Sequence, residues 1–242
     1  MTRRPNQEPI IFGEGPWLLL RQPAPAVSGH SATELLDLGR HLQSPLRYIA
    51  AAGGVLLAGE MPLAAGFEGE AREQLIALVH GEGRKQALPE AVLVAESLAE
   101  FPDAVQRDDA WLLPATPRRE AEICIERVAG AARVSARLTE LPAEPAPDAA
   151  RAIFEFACRA QATLRFARVE PDRTGLLVTS EVSTQQLALL PQSVWAVAAG
   201  CRCLAREVRA LADPALARAY IQIVVEADAR VADGRVGSFS IS

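Results

Sequence analysis

The residues of this chain that could do chemistry near neutral pH are few and scattered. Its three histidines are His30, His41 and His80, and only histidine titrates unperturbed in that range. His30 sits in a Gly-His-Ser turn, His41 on a helix, and His80 at a helix end where a cation suits the dipole. Ser31, His41 and Asp37 can be written as a hydrolase triad, but no nucleophile-elbow sequence frames Ser31. Helix capping accounts for that serine more simply. Glu60 and Glu181 occupy equivalent hairpin positions, where paired carboxylates could exchange protons or hold a metal. Strand alternation instead reads each as the solvent side of its strand. The four cysteines, Cys124, Cys158, Cys201 and Cys203, lack the C-x-x-C pairing of a zinc site. Cys201 and Cys203 lie two apart on a helix, about 200° around its axis, and do not converge on one ion. Gly13-Glu14-Gly15 and Gly53-Gly54 read as turns, because neither opens a helix after a strand in phosphate-binding spacing. Trp17, Trp111 and Trp195 read as core or interface residues. The sequence therefore assigns no catalytic residue, no cofactor and no metal.

The elements that would position these residues follow from periodicity and punctuation. A hairpin spans residues 9–21, and Pro23 and Pro25 stop it. Ser31 or Thr33 caps a helix carrying Leu35, Leu36, Leu38 and Leu42, which ends before Pro45. A second hairpin, 46–51 with 55–61, turns at Gly53-Gly54 and leads to a helix over 68–79. Beyond a junction at 81–86, a helix over 89–100 precedes strands at 111–113, 122–128 and 133–141. Asp148 is the expected cap of a helix running to Ala162. Then come a hairpin, 164–169 with 176–182, a long helix over 185–211, and a last helix from Pro214 to Val225.

Within this order one segment occurs twice. Residues 35–48 lie over 153–166 without a gap, apolar on apolar, and the match resumes with Gly54-Val55-Leu56-Leu57 over Gly175-Leu176-Leu177-Val178. A duplication explains this, and with 242 residues at 50% hydrophobic content each half can bury a core. The expected division is 1–84 for a first repeat without a leading helix, 85–228 for a second, and a loose tail at 229–242. On the two repeated helices the apolar face is wider than the roughly 100° that one sheet requires. Leu35, Leu38 and Leu42 on one, and Ile153, Phe156 and Ala160 on the other, are thus candidates for a contact between the repeats; a homodimer contact or a thick core would widen the face in the same way.

The order helix, three strands, helix, two strands, helix in the second half resembles the α+β fold of type III secretion chaperones and a related chaperone-like family of sensory-transduction regulators. The resemblance covers roughly 89–212 and, more faintly, 9–79. It rests on element order and on Leu164-Arg165-Phe166 followed by Gly175-Leu176-Leu177-Val178. It implies an antiparallel sheet packed with helices in each half, the halves pairing as an internal pseudo-dimer because copies of that domain pair into dimers. It also implies a non-catalytic protein-binding role, chaperone or adaptor, with a polypeptide partner. The alternatives are a structural subunit of a larger assembly and an enzyme with an unrecognised site. The net charge of -5 argues against nucleic acid, which needs clustered Lys and Arg. No apolar run approaches the roughly 20 residues that span a bilayer, so a membrane is not expected and a cytoplasmic location is. Abundant Ala, with Arg nearly replacing Lys, fits the codon bias of a GC-rich bacterial genome.

Overall fold

A computed structural model describes residues 9–43, 45–51, 54–63, 68–80, 88–140 and 146–227. The expected junction at 81–86, the Pro-rich loop at 142–145, Gly53 and the tail at 229–242 lie outside them. The fold is α+β with two antiparallel sheets. The first is built from β1 (Ile10–Glu14), β2 (Trp17–Pro23), β3 (Arg47–Ala51) and β4 (Gly54–Pro62), with α1 (Ala32–Gly39) between β2 and β3 and α2 (Glu68–Val79) after β4. The second half opens with α3 (Ala91–Ser97), β5 (Val105–Arg107) and β6 (Ala110–Leu113). It continues with β7 (Ile123–Val128), β8 (Ala131–Glu140), α4 (Pro147–Ala160), β9 (Arg168–Asp172) and β10 (Gly175–Ser183). A 3-10 turn, Thr184–Leu189, leads into α5 (Leu190–Ala210), and α6 (Pro214–Tyr220) runs on into a π-helical turn, Ile221–Val225.

The strand order is β1-β2-β4-β3 in one sheet and β5-β6-β7-β8-β10-β9 in the other. Without β5 and β6 the second order is the first one repeated, with a helix inserted at the same place and another following the last strand. Register fixes the correspondence. Arg47 pairs with Ala58 and Arg168 with Thr179, so both strands of the hairpin are offset by 121 residues (168 less 47, 179 less 58). The gapless match places Arg47 over Arg165 instead, three residues away. Between α4 and β9 the chain takes an irregular course in which Phe166 adopts φ +56, and the strand begins only at Arg168. Apolar identity alone cannot see a left-handed residue, and so the match slides through it.

Each sheet buries one face under its own following helix. On the first, Leu18, Leu20 and Met61 meet Ala71 and Leu75 of α2, with Leu46 filling the end. Gly59 permits that approach, because a Cβ there would stand 2.8 Å from Leu46 Cδ2. On the second, α5 lies across β7, β8 and β10, presenting Val194, Val197, Cys201, Leu204 and Val208. Here the glycine is on the helix: a Cβ on Gly200 would stand 2.9 Å from Val178 Cγ1. The run Thr184–Ala210 is long and apolar enough to cross a membrane by length and composition, which corrects the expectation that no stretch is. Half of its most apolar window is buried in the fold.

The repeated helices pack crosswise. α1 lies against α4 and β9, and α4 lies against α1 and β3, so each covers the edge strand of the other half. Ala32, Leu35, Leu36 and Val55 of the first half therefore share one apolar core with the second. Of the two expected caps, Ser31 and Thr33, it is Ser31 that caps α1, in a capping box closed by Glu34. Asp148 does not cap α4; Ala146 holds that position and Pro147 opens the helix, leaving Asp148 in the first turn. β5 leaves no mark in the sequence pattern. It is three exposed residues, without apolar alternation, turned back onto β6 through Asp108 at φ 50.

Candidate functional site

Where the two halves meet, the structure buries charge. Arg47, at the start of β3, and Glu60, on β4, have no exposed side-chain surface. The guanidinium grips both carboxylate oxygens of Glu60, one of them through Nη2 to Oε1 at 2.8 Å. It also donates from Nε to the Gln161 carbonyl at 2.9 Å and from Nη2 to the Leu164 carbonyl at 2.7 Å. Arg21 reaches Glu60 Oε1 at 3.2 Å from the rim. The expectation that Glu60 faces solvent is thereby corrected. Its side of the strand is the one on which the second half sits, and Arg47 supplies the compensation a buried carboxylate requires.

The second sheet answers this arrangement. Arg168, at the start of β9, donates to the Leu42 carbonyl at 2.7 Å, to Leu46 at 3.2 Å and to Arg40 at 3.4 Å. Its Nε meets Glu170 at 2.6 Å, and Glu181, the counterpart of Glu60, lies 3.8 Å away. Arg133 joins Glu170 from β8. Each sheet thus contributes an arginine that caps the carbonyls at the end of the other half's crossing helix. Arg47 to the Gln161 carbonyl and Arg168 to the Arg40 carbonyl correspond at the same offset of 121 (161 less 40). Gln161 adds a bridge, donating to the Tyr48 carbonyl at 2.9 Å and accepting from the Val169 amide at 3.0 Å. Trp17 packs against Phe166 with ring centroids 6.2 Å apart, and Arg165 pairs with Glu14 at 3.3 Å.

The sequence's contact candidates divide. Leu35 and Ile153 are buried in the shared core. Phe156 and Ala160 are partly buried against it, Phe156 edge-on to Tyr220 at 6.3 Å. Leu42 packs on the first-sheet core instead, and Leu38 is 36% exposed. α1 is only eight residues long and turns Ala32, Leu35, Leu36 and Gly39 inward, which leaves Leu38 on the outer flank. Sequence reasoning missed Arg47 and Arg168, although a signal was present: Arg47 with Glu60 and Arg168 with Glu181 recur at the same separation of 13 residues (60 less 47, 181 less 168).

The remaining reactive groups stay apart. His30, His41 and His80 are exposed on separate segments. Ser31 Oγ donates to Glu34 Oε2 at 2.8 Å and Asp37 pairs with Arg40 at 3.4 Å, so no triad is assembled from them. Burial pushes the Cys158 thiol up to about 11 and the Cys201 thiol up to about 12, while Cys203 is exposed. Among the described residues no three His, Cys, Asp or Glu side chains gather as a metal set would. A groove of about 440 Å³ between α1 and α4 is lined by Ser31, Ala32, Thr33, Arg151, Phe154 and Glu155. Large apolar side chains stand in water instead at Ile10, Phe12, Val92, Leu93, Val105, Leu216 and Ile223, and Trp195 is 40% exposed beside Phe101. No protein-family model matches the chain, and no curated protein matches it significantly.

Proposed function

We propose that the chain is a non-catalytic protein-binding module, chaperone-like or adaptor, whose halves form an internal pseudo-dimer of type III secretion chaperone-like domains. One observation carries the reading: apolar surface is left exposed on strand edges and short helices, while the buried charges at the centre are consumed in holding the halves together. Exposed apolar side chains on rigid elements suit a polypeptide partner. The crossed helices and reciprocal arginines support the pseudo-dimer, since two-fold association repeats each contact in both directions. The same exposed surface also favours a structural subunit of a larger assembly, and the two readings differ in exchange. The test isolates the tagged chain from its host and follows bound polypeptides by native mass spectrometry during dilution with unlabelled chain. A polypeptide that exchanges on dilution supports the binding module. A complex of fixed stoichiometry that does not exchange makes the chain a structural subunit, and turnover of a small molecule without any bound polypeptide refutes both.

A further inference from the structure

The helix with no counterpart among the described residues of the first half, α3, is apolar on its outer side. Within it only Val94 is buried, and with Leu98, one turn on, it anchors the segment to the core. Val92 is 56% and Leu93 41% exposed, and Leu88 stands in water just ahead of them. Trp195 extends this surface onto α5, which α3 touches. Its ring is held in place, leaning on Phe101 with centroids 5.6 Å apart and donating its indole N–H to Glu100 Oε1 at 3.3 Å. The uncompensated charge around these residues is negative. Glu90, Glu96 and Glu100 are exposed, and among the described residues none of them is in an ion pair. Glu90 holds the N-cap position of α3, yet its side chain makes no capping hydrogen bond. On α1 and α4, by contrast, Asp37 has Arg40 and Glu155 has Arg159. Two arginines come near α3 with their charge already engaged. Arg127 reaches the Pro89 carbonyl at 3.2 Å and pairs with Asp109, and Arg119, 5.7 Å from the Phe101 ring, pairs with Asp103.

We propose that this face docks a cationic amphipathic helix of another protein, with large apolar side chains on one side and Lys or Arg along its borders. The proposal rests on the binding-module reading above and names the class of its partner. The apolar side of such a helix covers Val92, Leu93 and Trp195, the mode in which a helix lays its apolar face on a hydrophobic surface. Its flanking cations meet Glu90, Glu96 and Glu100, which have no cation of their own. A neutral helix with the same apolar side makes the first contact without the second, and an acidic one is repelled. Apolar area thus supplies the contact, and the carboxylates choose the partner.

Fluorescence anisotropy with the full chain and three labelled synthetic helical peptides tests this, the peptides sharing one apolar face and carrying Lys, Gln or Glu at their polar positions. The Lys peptide is expected to bind at least tenfold more tightly than the Gln peptide and to weaken as salt is raised, while the Glu peptide does not bind. Leu93→Ser, and Glu96→Gln combined with Glu100→Gln, change exposed side chains. Each is expected to weaken the Lys peptide at least fivefold with the far-ultraviolet circular dichroism unchanged, and having both covers the failure of either to fold. Ile10→Ser, at an exposed apolar position on β1, is expected to leave binding intact. A Lys peptide that does not bind, Gln or Glu peptides that bind as tightly, or binding that survives both α3 changes or falls equally with Ile10→Ser overturns the proposal. In that event the host polypeptide carried by the chain separates the two failures. If Leu93→Ser still carries it, the α3 site is wrong and the binding module stands; if the natural chain carries none, both are wrong.

Discussion

Replacing Arg47 by methionine keeps much of the volume of the side chain and removes its charge and all its donors. Glu60 then remains buried with only Arg21, 3.2 Å away and partly in water, and the Gln161 and Leu164 carbonyls lose a donor each. Breaking a buried ion pair from one side costs about 3–5 kcal/mol. Arg21 holds the effect to the lower end, about 3 kcal/mol. At roughly 2–4 °C per kcal/mol for a chain of this size, the melting temperature should fall by about 6–12 °C. Urea unfolding followed by circular dichroism measures the loss through the midpoint, with the slope expected to stay constant. Substituting both members, Arg47→Met with Glu60→Leu, removes the orphaned carboxylate as well. The double variant should therefore be more stable than Arg47→Met alone by at least about 1 kcal/mol. A loss below about 1 kcal/mol for the single variant, or a double variant as unstable as the sum of two singles, would refute the claim that this pair is a desolvated unit.

Phe156→Ala should destabilise by about 1–3 kcal/mol, because it strips an edge-on contact with Tyr220 and part of the core. Glu155→Lys costs less, within about 1 kcal/mol, since it disturbs only a 3.8 Å pair with Arg159, and thermal melts compare the two. Gly200→Val should cost about 1–3 kcal/mol in urea unfolding, because Val178 already stands where its Cβ would go and is stiff at χ1. Native thiol labelling at pH 8 should modify Cys203 quickly, with Cys158 and Cys201 reacting only on unfolding. Burial raises both of those thiols, to about 11 and about 12, so the folded chain keeps protons that the unfolded chain sheds from about pH 9 upward. Their contribution is whole below about pH 9 and is lost as pH rises through 11 and 12; thermal melts that hold constant from pH 8 to 11 would contradict it.

The hairpins and most helices were legible because their apolar residues run between turn residues, as in Trp17-Leu18-Leu19-Leu20, or recur at helical spacing, as along the buried stripe of α5 from Val194 to Val208. The repeated strand order was legible for the same reason, and so was the register of β4 against β10, Gly54 over Gly175; that of β3 against β9 was not. Hydrophobic identity aligns Leu46 with Leu164, but the backbone inserts Arg165-Phe166-Ala167 before β9 begins, and the left-handed Phe166 leaves no mark on a pattern of apolar residues. The central charges escape a local reading on physical grounds. An Arg or Glu in a strand reads as facing water, and that holds only while nothing covers the face. For Glu60 the covering comes from residues 161–166, roughly a hundred positions away, which no local window contains. Ser31 was readable as a cap because the capping box is local; Asp148 was not, since Pro147 takes the first helical position just before it.

That the halves act as one unit through their crossed arginines is tested most directly by native-state hydrogen exchange on Arg47→Met and Arg168→Met. Each arginine lies in one sheet and holds carbonyls of the other half. Each substitution should therefore speed amide exchange in α1, β3 and β4 and also in α4, β9 and β10, whichever sheet carries the change. Faster exchange confined to the sheet that bears the substitution, with the other half as protected as before, would contradict the account.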